Sequence, residues 1–370
     1  MFALICKIEF LFKQSLLILR IEFILKKILL VGSYTPRKCG IATHLQQLED
    51  TLRANGDEVD ILSSPECQGT FRENLRGGFN ILKLIRYSRK YDLINIHFEF
   101  SEFFHLGHSP IRILNIFPLI ALGILFRVTK NLNLIMHELP PTPFSFQRTF
   151  LQRMIWGMVP KITFFTFKEK HSFEQKFDLQ FQPGQCQIED VTRYYKKNSN
   201  LNRNQARNKF NINSNSIIFL CIGFINESKG YDRIASIISN CHYSNCELYI
   251  VGSVRLEHDV KAMSYALKLK SISEDCSSVH FVNYYLSDQD FDEWIIASDY
   301  VVVPYWSISN SGVLGRAKIF GKPAIVSNVG GLCEQIGDND FLFSSNEDLD
   351  CIIKNISMLN NSDDLTSTLN

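Results

Sequence analysis

The most chemically loaded stretch of this sequence runs from a short apolar segment into a serine and a glycine. Asp299-Tyr300-Val301-Val302-Val303-Pro304 reads as a buried strand, Tyr305 to Asn310 as a loop, and the residues from Ser311 as a helix stopped by Gly321 before Pro323. Asn310 or Ser311 can cap that helix. Gly312 keeps a side chain out of the first turn, where free amides and the positive end of the helix dipole favour an anion such as a diphosphate. An ordinary capped helix would look the same, so local sequence leaves the two readings level. A second stretch follows the apolar run Ile217–Ile222: Gly223-Phe224-Ile225-Asn226-Glu227-Ser228-Lys229-Gly230. A lone loop lysine is ordinarily just solvated, but an ammonium here can offset charge on a departing anionic group.

Two histidines close apolar runs in the first half, in His97-Phe98-Glu99 and His137-Glu138. Residues two apart on an extended chain share a face, which would let His97 and Glu99 act together. His105 and His108 lie nearby, yet the spacing matches no zinc pattern, so no metal is expected and a structural histidine is the default for either. Ten cysteines are scattered without a Cys-x-x-Cys pair. Reduced, buried thiols of a cytoplasmic protein are the expectation.

These residues need elements to hold them. Lys27–Val31 is a short apolar strand, Ile41 to Asn55 a helix stopped by Gly56, and Val59 to Leu62 the next strand. This βαβ opening belongs to a parallel sheet with helices on its faces. Asp92–Ile96, Leu132–Met136 and Lys161–Phe167 continue the strands. From 182 to 216 the composition turns polar, with a short helix at Leu201 to Phe210. A second series then follows: Ile217–Ile222, Leu248–Val251, Val279–Val282, Tyr300–Val303 and Ala324–Val326. The reading is an α/β chain of two successive units, 27–190 and 191–370, after an N-terminal extension 1–26. Ligands of open parallel sheets bind beyond the carboxyl ends of the strands, where the residues singled out above fall.

The 370 residues suffice for two domains with their own cores. Lys plus Arg number 39 and Asp plus Glu 38, which gives no global footprint for nucleic acid. The first 26 residues are apolar but interrupted by Lys7, Glu9, Lys13, Arg20 and Glu22, unlike a signal peptide. They read either as an amphipathic surface helix or as an extension upstream of the native start. Ile113 to Phe126 is too short to span a bilayer and contains Pro118, and is expected to be a buried core helix rather than a membrane segment.

Together the motifs resemble those of the GT-B-fold glycosyltransferases, in particular the large retaining group often called family 4. A branch of that group carries Ser-Gly-Val-Leu followed by Gly-Lys-Pro and Gly-Gly, as Ser311–Leu314, Gly321–Pro323 and Gly330-Gly331 do here. The resemblance implies two Rossmann-like domains facing across a cleft, with Ser311, Gly312 and Val313 holding a donor diphosphate. The Gly223–Gly230 stretch is similar to a Gly-Arg-x-x-x-x-Lys-Gly motif and assigns Lys229 to donor binding and catalysis. Gly32-Ser33-Tyr34-Thr35-Pro36-Arg37-Lys38-Cys39-Gly40-Ile41-Ala42-Thr43 resembles the first cleft loop of these enzymes and makes Gly40 a donor-side residue. His137 corresponds to a histidine that touches the donor sugar, and His97 and Glu99 fall on the acceptor side.

The sequence also departs from the family. Phe224 stands at the arginine position, and the usual pair of glutamates falls at Ile308 and Arg316. The second of these normally binds the nucleotide ribose. Glu334, after Gly330-Gly331, reads equally well as a cleft residue and as a helix-start carboxylate. The resemblance implies transfer of a hexose from a nucleoside diphosphate sugar to a saccharide or lipid-linked acceptor, with retention and without metal or cofactor. It places the enzyme in surface polysaccharide synthesis, in the cytoplasm or at the inner membrane face as a peripheral protein. Two alternatives remain: a non-catalytic relative that binds a sugar nucleotide or a partner, and a sugar-nucleotide epimerase.

Overall fold

The computed structural model describes residues 25–105, 115–140, 146–241, 243, 245–256 and 258–367. The N-terminal extension up to residue 24, and His108, lie outside the described residues. Two parallel sheets carry the fold. The first has β1 (Lys27–Val31), β2 (Glu58–Ser63), β3 (Phe71–Arg72), β4 (Leu93–Phe98), β5 (Leu132–Met136), β6 (Lys161–Phe164) and β7 (Cys186–Ile188), ordered β3-β2-β1-β4-β5-β6-β7. The second has β8 (Ile217–Ile222), β9 (Cys246–Gly252), β10 (Val279–Asn283), β11 (Tyr300–Val303), β12 (Ala324–Ser327) and β13 (Phe341–Phe343), ordered β10-β9-β8-β11-β12-β13. The longer helices in the first half are α1 (Gly40–Ala54), α2 (Ile116–Val128), α3 (Phe146–Gly157) and α4 (Phe167–Phe177), besides the single turn Phe100–Phe103. Those in the second are α5 (Arg203–Lys209), α6 (Tyr231–Cys241), α7 (Val260–Asp275), α8 (Asp288–Ala297), α9 (Gly312–Ile319) and α10 (Asn346–Ser367).

Strand alternation sorts the first core into two layers. Ile28 and Leu30 of β1 cluster with Leu45 and Leu48 of α1, whereas Leu29 and Val31 join Leu122 and Leu125 of α2. Right-handed crossovers give the same result, because β1 to β2 and β4 to β5 travel in opposite directions and so place α1 and α2 on opposite faces. In both sheets the order reverses at the centre, between β1 and β4 and between β8 and β11. Crevices for ligands form there.

The expected strands β1, β5, β8 and β11 match to the residue. The short edge strands β3, β7 and β13 were not expected, and β7 falls inside the stretch read as connecting chain. Two or three residues carry too little alternation to announce a strand. The helix expected over Ile113–Phe126 is described as Ile116–Val128, and it is only half a core helix. Leu119, Leu122, Leu125 and Phe126 are buried, but Phe117, Ile120, Ile124 and Val128 are exposed. A uniformly apolar segment gives no amphipathic signal from which its outer face could be told. Cys39, Cys67, Cys221, Cys246 and Cys276 are buried free thiols. Among the described residues no helix is long and apolar enough to cross a membrane.

Candidate active site

The loop after β11 delivers the chain into α9. Ser311 is its N-cap and accepts a hydrogen bond from Leu314 N (3.3 Å), while Ser311 N donates to Gln335 Oε1 (2.8 Å). The first-turn amides of Gly312 and Val313 have no intrahelical acceptor. Both residues line a cavity of about 210 Å³ that Lys229, Gly223 and Gly40 also line. The first domain therefore supplies one wall, the N-terminus of α1, and the second domain the other. Cys39 caps α1 through its Sγ, 3.3 Å from the donating Ala42 N, and a side chain at Gly40 would meet nothing within 4 Å.

Lys229 sits on the short 3₁₀ turn after β8, half-buried, with its Nζ 3.8 Å from the centroid of the buried Tyr305 ring. That ring fixes the ammonium beside the cavity without neutralising it. Two glycines make the turn geometry possible. Gly223 and Gly252 have φ of +120° and +154°, and a Cβ on Gly252 would lie 1.9 Å from Gly223 O. The loops after β8 and β9 thus touch through backbone alone.

At Gly312 the structure adds a reason for glycine. A Cβ there would lie 2.3 Å from the hydroxyl of Tyr195, so the space a side chain would fill belongs partly to that phenol. Tyr195 comes from the polar connecting stretch and nothing in its sequence context points to the cavity. Arg316, at one missing-glutamate position, is nearly fully buried, lines the same cavity and donates from Nη2 to Asp288 Oδ1 (2.6 Å). A carboxylate is thus present, but it comes from the start of α8. Ile308, at the other position, packs against the second core. Phe224 and Tyr285 line the opening with their rings 6.3 Å apart.

The histidines fall elsewhere. His97 Nδ1 and His137 Nε2 are 3.0 Å apart and the rings stack with centroids 5.2 Å apart. His44, from the middle of α1, lies over both, and one ring nitrogen of each of the three falls within 4.8 Å of the others. Alternation along β4 and β5 turns Asn95, His97, Asn133 and His137 toward α1, with Asn133 Nδ2 donating to Asn95 Oδ1 (3.2 Å). Burial holds His44 and His97 well below the usual imidazole range and His137 down at about 4. All three are neutral at pH 7. Neutral imidazoles can exchange hydrogen bonds with a sugar, and they are also the form that holds a borderline cation. The expected metal-free reading involved His97, Glu99, His105 and His108; the trio actually assembled includes His44, whose mid-helix position gives no sequence signal.

His97 is fully buried beneath its neighbours, so it supports His137 rather than forming an acceptor wall. Nor do His97 and Glu99 act as a pair. Glu99 lies past the end of β4, accepts from Ser33 Oγ (2.9 Å) and faces Arg37 (3.8 Å) and Arg255 (4.0 Å). His137 does not line the cavity of Lys229 and Gly312; Tyr195, whose ring is 6.3 Å from that of His44, stands between the two groups.

The Gly330-Gly331 loop belongs to the seam between the domains. Glu334 accepts from Phe167 N (2.5 Å) and Lys168 N (2.7 Å), the first turn of α4 in the other domain. Asn310 Nδ2 donates to Glu169 Oε1 (2.6 Å) across the same seam. Lys322 of the Gly-Lys-Pro run is structural: its Nζ donates to Ile296 O and Ser298 O, and burial pushes its pKa down to about 8.

Residues 216–361 match the family described as Glycosyl transferases group 1. No curated protein matches the sequence. Solved structures with a similar fold include Anabaena HepE in complex with UDP-glucose, at 15% identity, 89% of each chain covered and a TM-score of 0.60. A glycosyltransferase from Rickettsia africae is similar at 15% identity over 90% of this chain and 89% of that chain, TM-score 0.65. Sucrose-phosphate synthase from Thermosynechococcus elongatus is similar at 16% identity over 89% of each chain, TM-score 0.62. The chain thus has the GT-B fold, two Rossmann-like domains, and its second half carries a group 1 glycosyltransferase domain.

Proposed function

We propose that this protein transfers a hexose from a nucleoside diphosphate sugar to a saccharide or lipid-linked acceptor, with retention of the anomeric configuration. One observation carries the reading: the first turn of α9 and the ammonium of Lys229 line a single cavity, faced by the N-terminus of α1. Two helix starts and one lysine suit a diphosphate. As the anomeric C–O bond breaks, the electron pair leaves with the diphosphate, and these groups stabilise the growing charge. Phe224 and Tyr285 offer ring faces for the base, and Asp288 a carboxylate for ribose hydroxyls. The cavity is smaller than the 300–1,000 Å³ usual for small-molecule sites. A nucleotide sugar would fill it and extend beyond it along the cleft, and for its hexose to meet the neutral imidazole of His137 the Tyr195 side chain between them must move aside. The family setting adds surface polysaccharide synthesis on the cytoplasmic side of a membrane.

Phe224 in place of an arginine, and Arg316 in place of a glutamate, favour a second reading, a binder of sugar nucleotides without turnover. Purified protein incubated with a panel of nucleotide sugars and acceptors separates the two. Transfer supports the first reading, and donor binding by thermal shift without transfer or hydrolysis the second. Neither binding nor transfer of any donor overturns both.

A further inference from the structure

Within the first domain, most of the large apolar side chains left exposed lie on one side. On α2, Phe117, Ile120, Ile124 and Val128 are 42%, 38%, 41% and 50% exposed, and their spacing places them in one stripe along the helix. α3 packs beside α2 and adds Phe150 and Met154, at 60% and 49%. Phe79, just before the 3₁₀ stretch Asn80–Tyr87, extends the stripe with its ring 5.9 Å from that of Phe117. A soluble domain rarely leaves so many large side chains side by side in water.

Charge says what should cover them. Residues 76–91, 115–131 and 146–161, the three stretches that build this face, contain ten Lys or Arg and no Asp or Glu, in a chain whose totals nearly cancel. Arg86, Arg89, Lys90, Arg127, Lys130 and Arg153 are exposed. The turn after Tyr87 lies against the end of α2, because Asn131 Nδ2 donates to Ser88 O (3.0 Å) and Tyr91 O (2.6 Å). Cations from two stretches therefore collect at one end of the stripe. The carboxylates nearby are few and engaged: Glu73 pairs with Arg86, Asp178 with Arg153, and Asp92 accepts the Lys27 amide (2.8 Å).

We propose that this face docks on an anionic lipid bilayer, the α2 stripe entering the headgroup–acyl boundary while the basic rim meets lipid phosphates. Apolar burial and attraction to anionic headgroups act together in such binding. The helix is too short to span, so it lies on the surface. α2 is on the sheet face opposite α1, which forms one wall of the cavity, so this surface is independent of the transfer reading and its failure leaves that reading intact.

The test is flotation of the full chain with phosphatidylcholine vesicles, with and without phosphatidylglycerol. Binding to the anionic vesicles that weakens with added salt is expected, since headgroup attraction is screened over about 10 Å or less. Ile120→Asp with Ile124→Asp should weaken it by about tenfold or more, each replacing an apolar side chain that would be buried by a charge. Arg127→Glu with Lys130→Glu should do the same and decides the matter if the first variant unfolds. No binding to anionic vesicles, or equal binding by both variants, overturns the proposal. So does loss confined to Leu16→Asp with Leu17→Asp, which would assign binding to the N-terminal segment. A dimer in light scattering that Ile120→Asp with Ile124→Asp dissociates, without vesicle binding, would show that a second copy covers the face.

Discussion

Replacing Lys229 by methionine removes one ammonium and keeps most of the side-chain volume. Two effects follow, and the structure separates them. The cation over the Tyr305 ring, 3.8 Å from its centroid, contributes about 0.5–1 kcal/mol to stability. For a domain of this size that lowers Tm by roughly 1–4 °C. The loss of the proposed contact with the donor diphosphate is larger. A charge-assisted hydrogen bond to a diphosphate is worth about 1.5–3 kcal/mol, or about 10- to 150-fold in kcat/KM. Lys229→Arg keeps the charge with a bulkier, planar head and should recover part of the rate. The assay is donor consumption and acceptor glycosylation under steady-state conditions, with Tm measured in parallel. A Lys229→Met enzyme with kcat/KM within about threefold of the parent would refute the assignment of this ammonium to the diphosphate. A large fall in Tm would show that its role is to hold the β8 loop.

Three further outcomes can be checked on the protein alone. Burial keeps His44, His97 and His137 neutral in the folded state at pH values where the unfolded chain protonates them. The unfolded state then binds more protons, so stability falls as pH drops below about 6.5, down to about 4 for His137, by about 1.4 kcal/mol per pH unit for each imidazole. Urea midpoints across that window should show His97→Gln reducing the slope by about one imidazole's share; an unchanged slope contradicts a neutral buried trio. Gly252→Ala should destabilise by roughly 2–4 kcal/mol, because its Cβ meets Gly223 O at 1.9 Å and φ is +154°; an unchanged unfolding midpoint would show that the two loops are free to part. Thr166 and Glu169 form the capping box of α4. Glu334→Ala removes the acceptor of the two remaining first-turn amides across the domain seam, which should cost about 1 kcal/mol, with earlier proteolytic cleavage near residues 165–168; Glu334→Gln, which keeps an acceptor, should lie between. Identical stability of the alanine variant would exclude a capping role.

Much of the architecture was legible in the sequence because the features that specify it are local. Buried parallel strands read as continuous Val, Ile and Leu runs, and β1, β5, β8 and β11 were bounded to the residue. A cap at Asn310 or Ser311 and a stop at Gly321 depend on one or two residues of backbone geometry; the cap falls on Ser311, and Gly321 follows the helix with φ of +65°. The convergence of Lys229 with the α9 start was legible only through motif order, since 82 positions separate Lys229 from Ser311. Strand order brings them together: β8 and β11 are neighbours, and the loops after both open at the same end.

What stayed hidden depends on contacts between distant elements. Tyr195 fills the space beside Gly312, Asp288 faces Arg316 from another helix, and Glu334 caps a helix of the other domain. His44 joins His97 and His137 because α1 crosses the face onto which strand alternation turns them. Hydrophobic period and capping chemistry operate within a few residues, so sequence alone determined the elements and their ends. Which side chains meet across the cleft, and which face of an all-apolar helix stays in water, follows from crossover handedness and packing, which only the assembled tertiary structure decides.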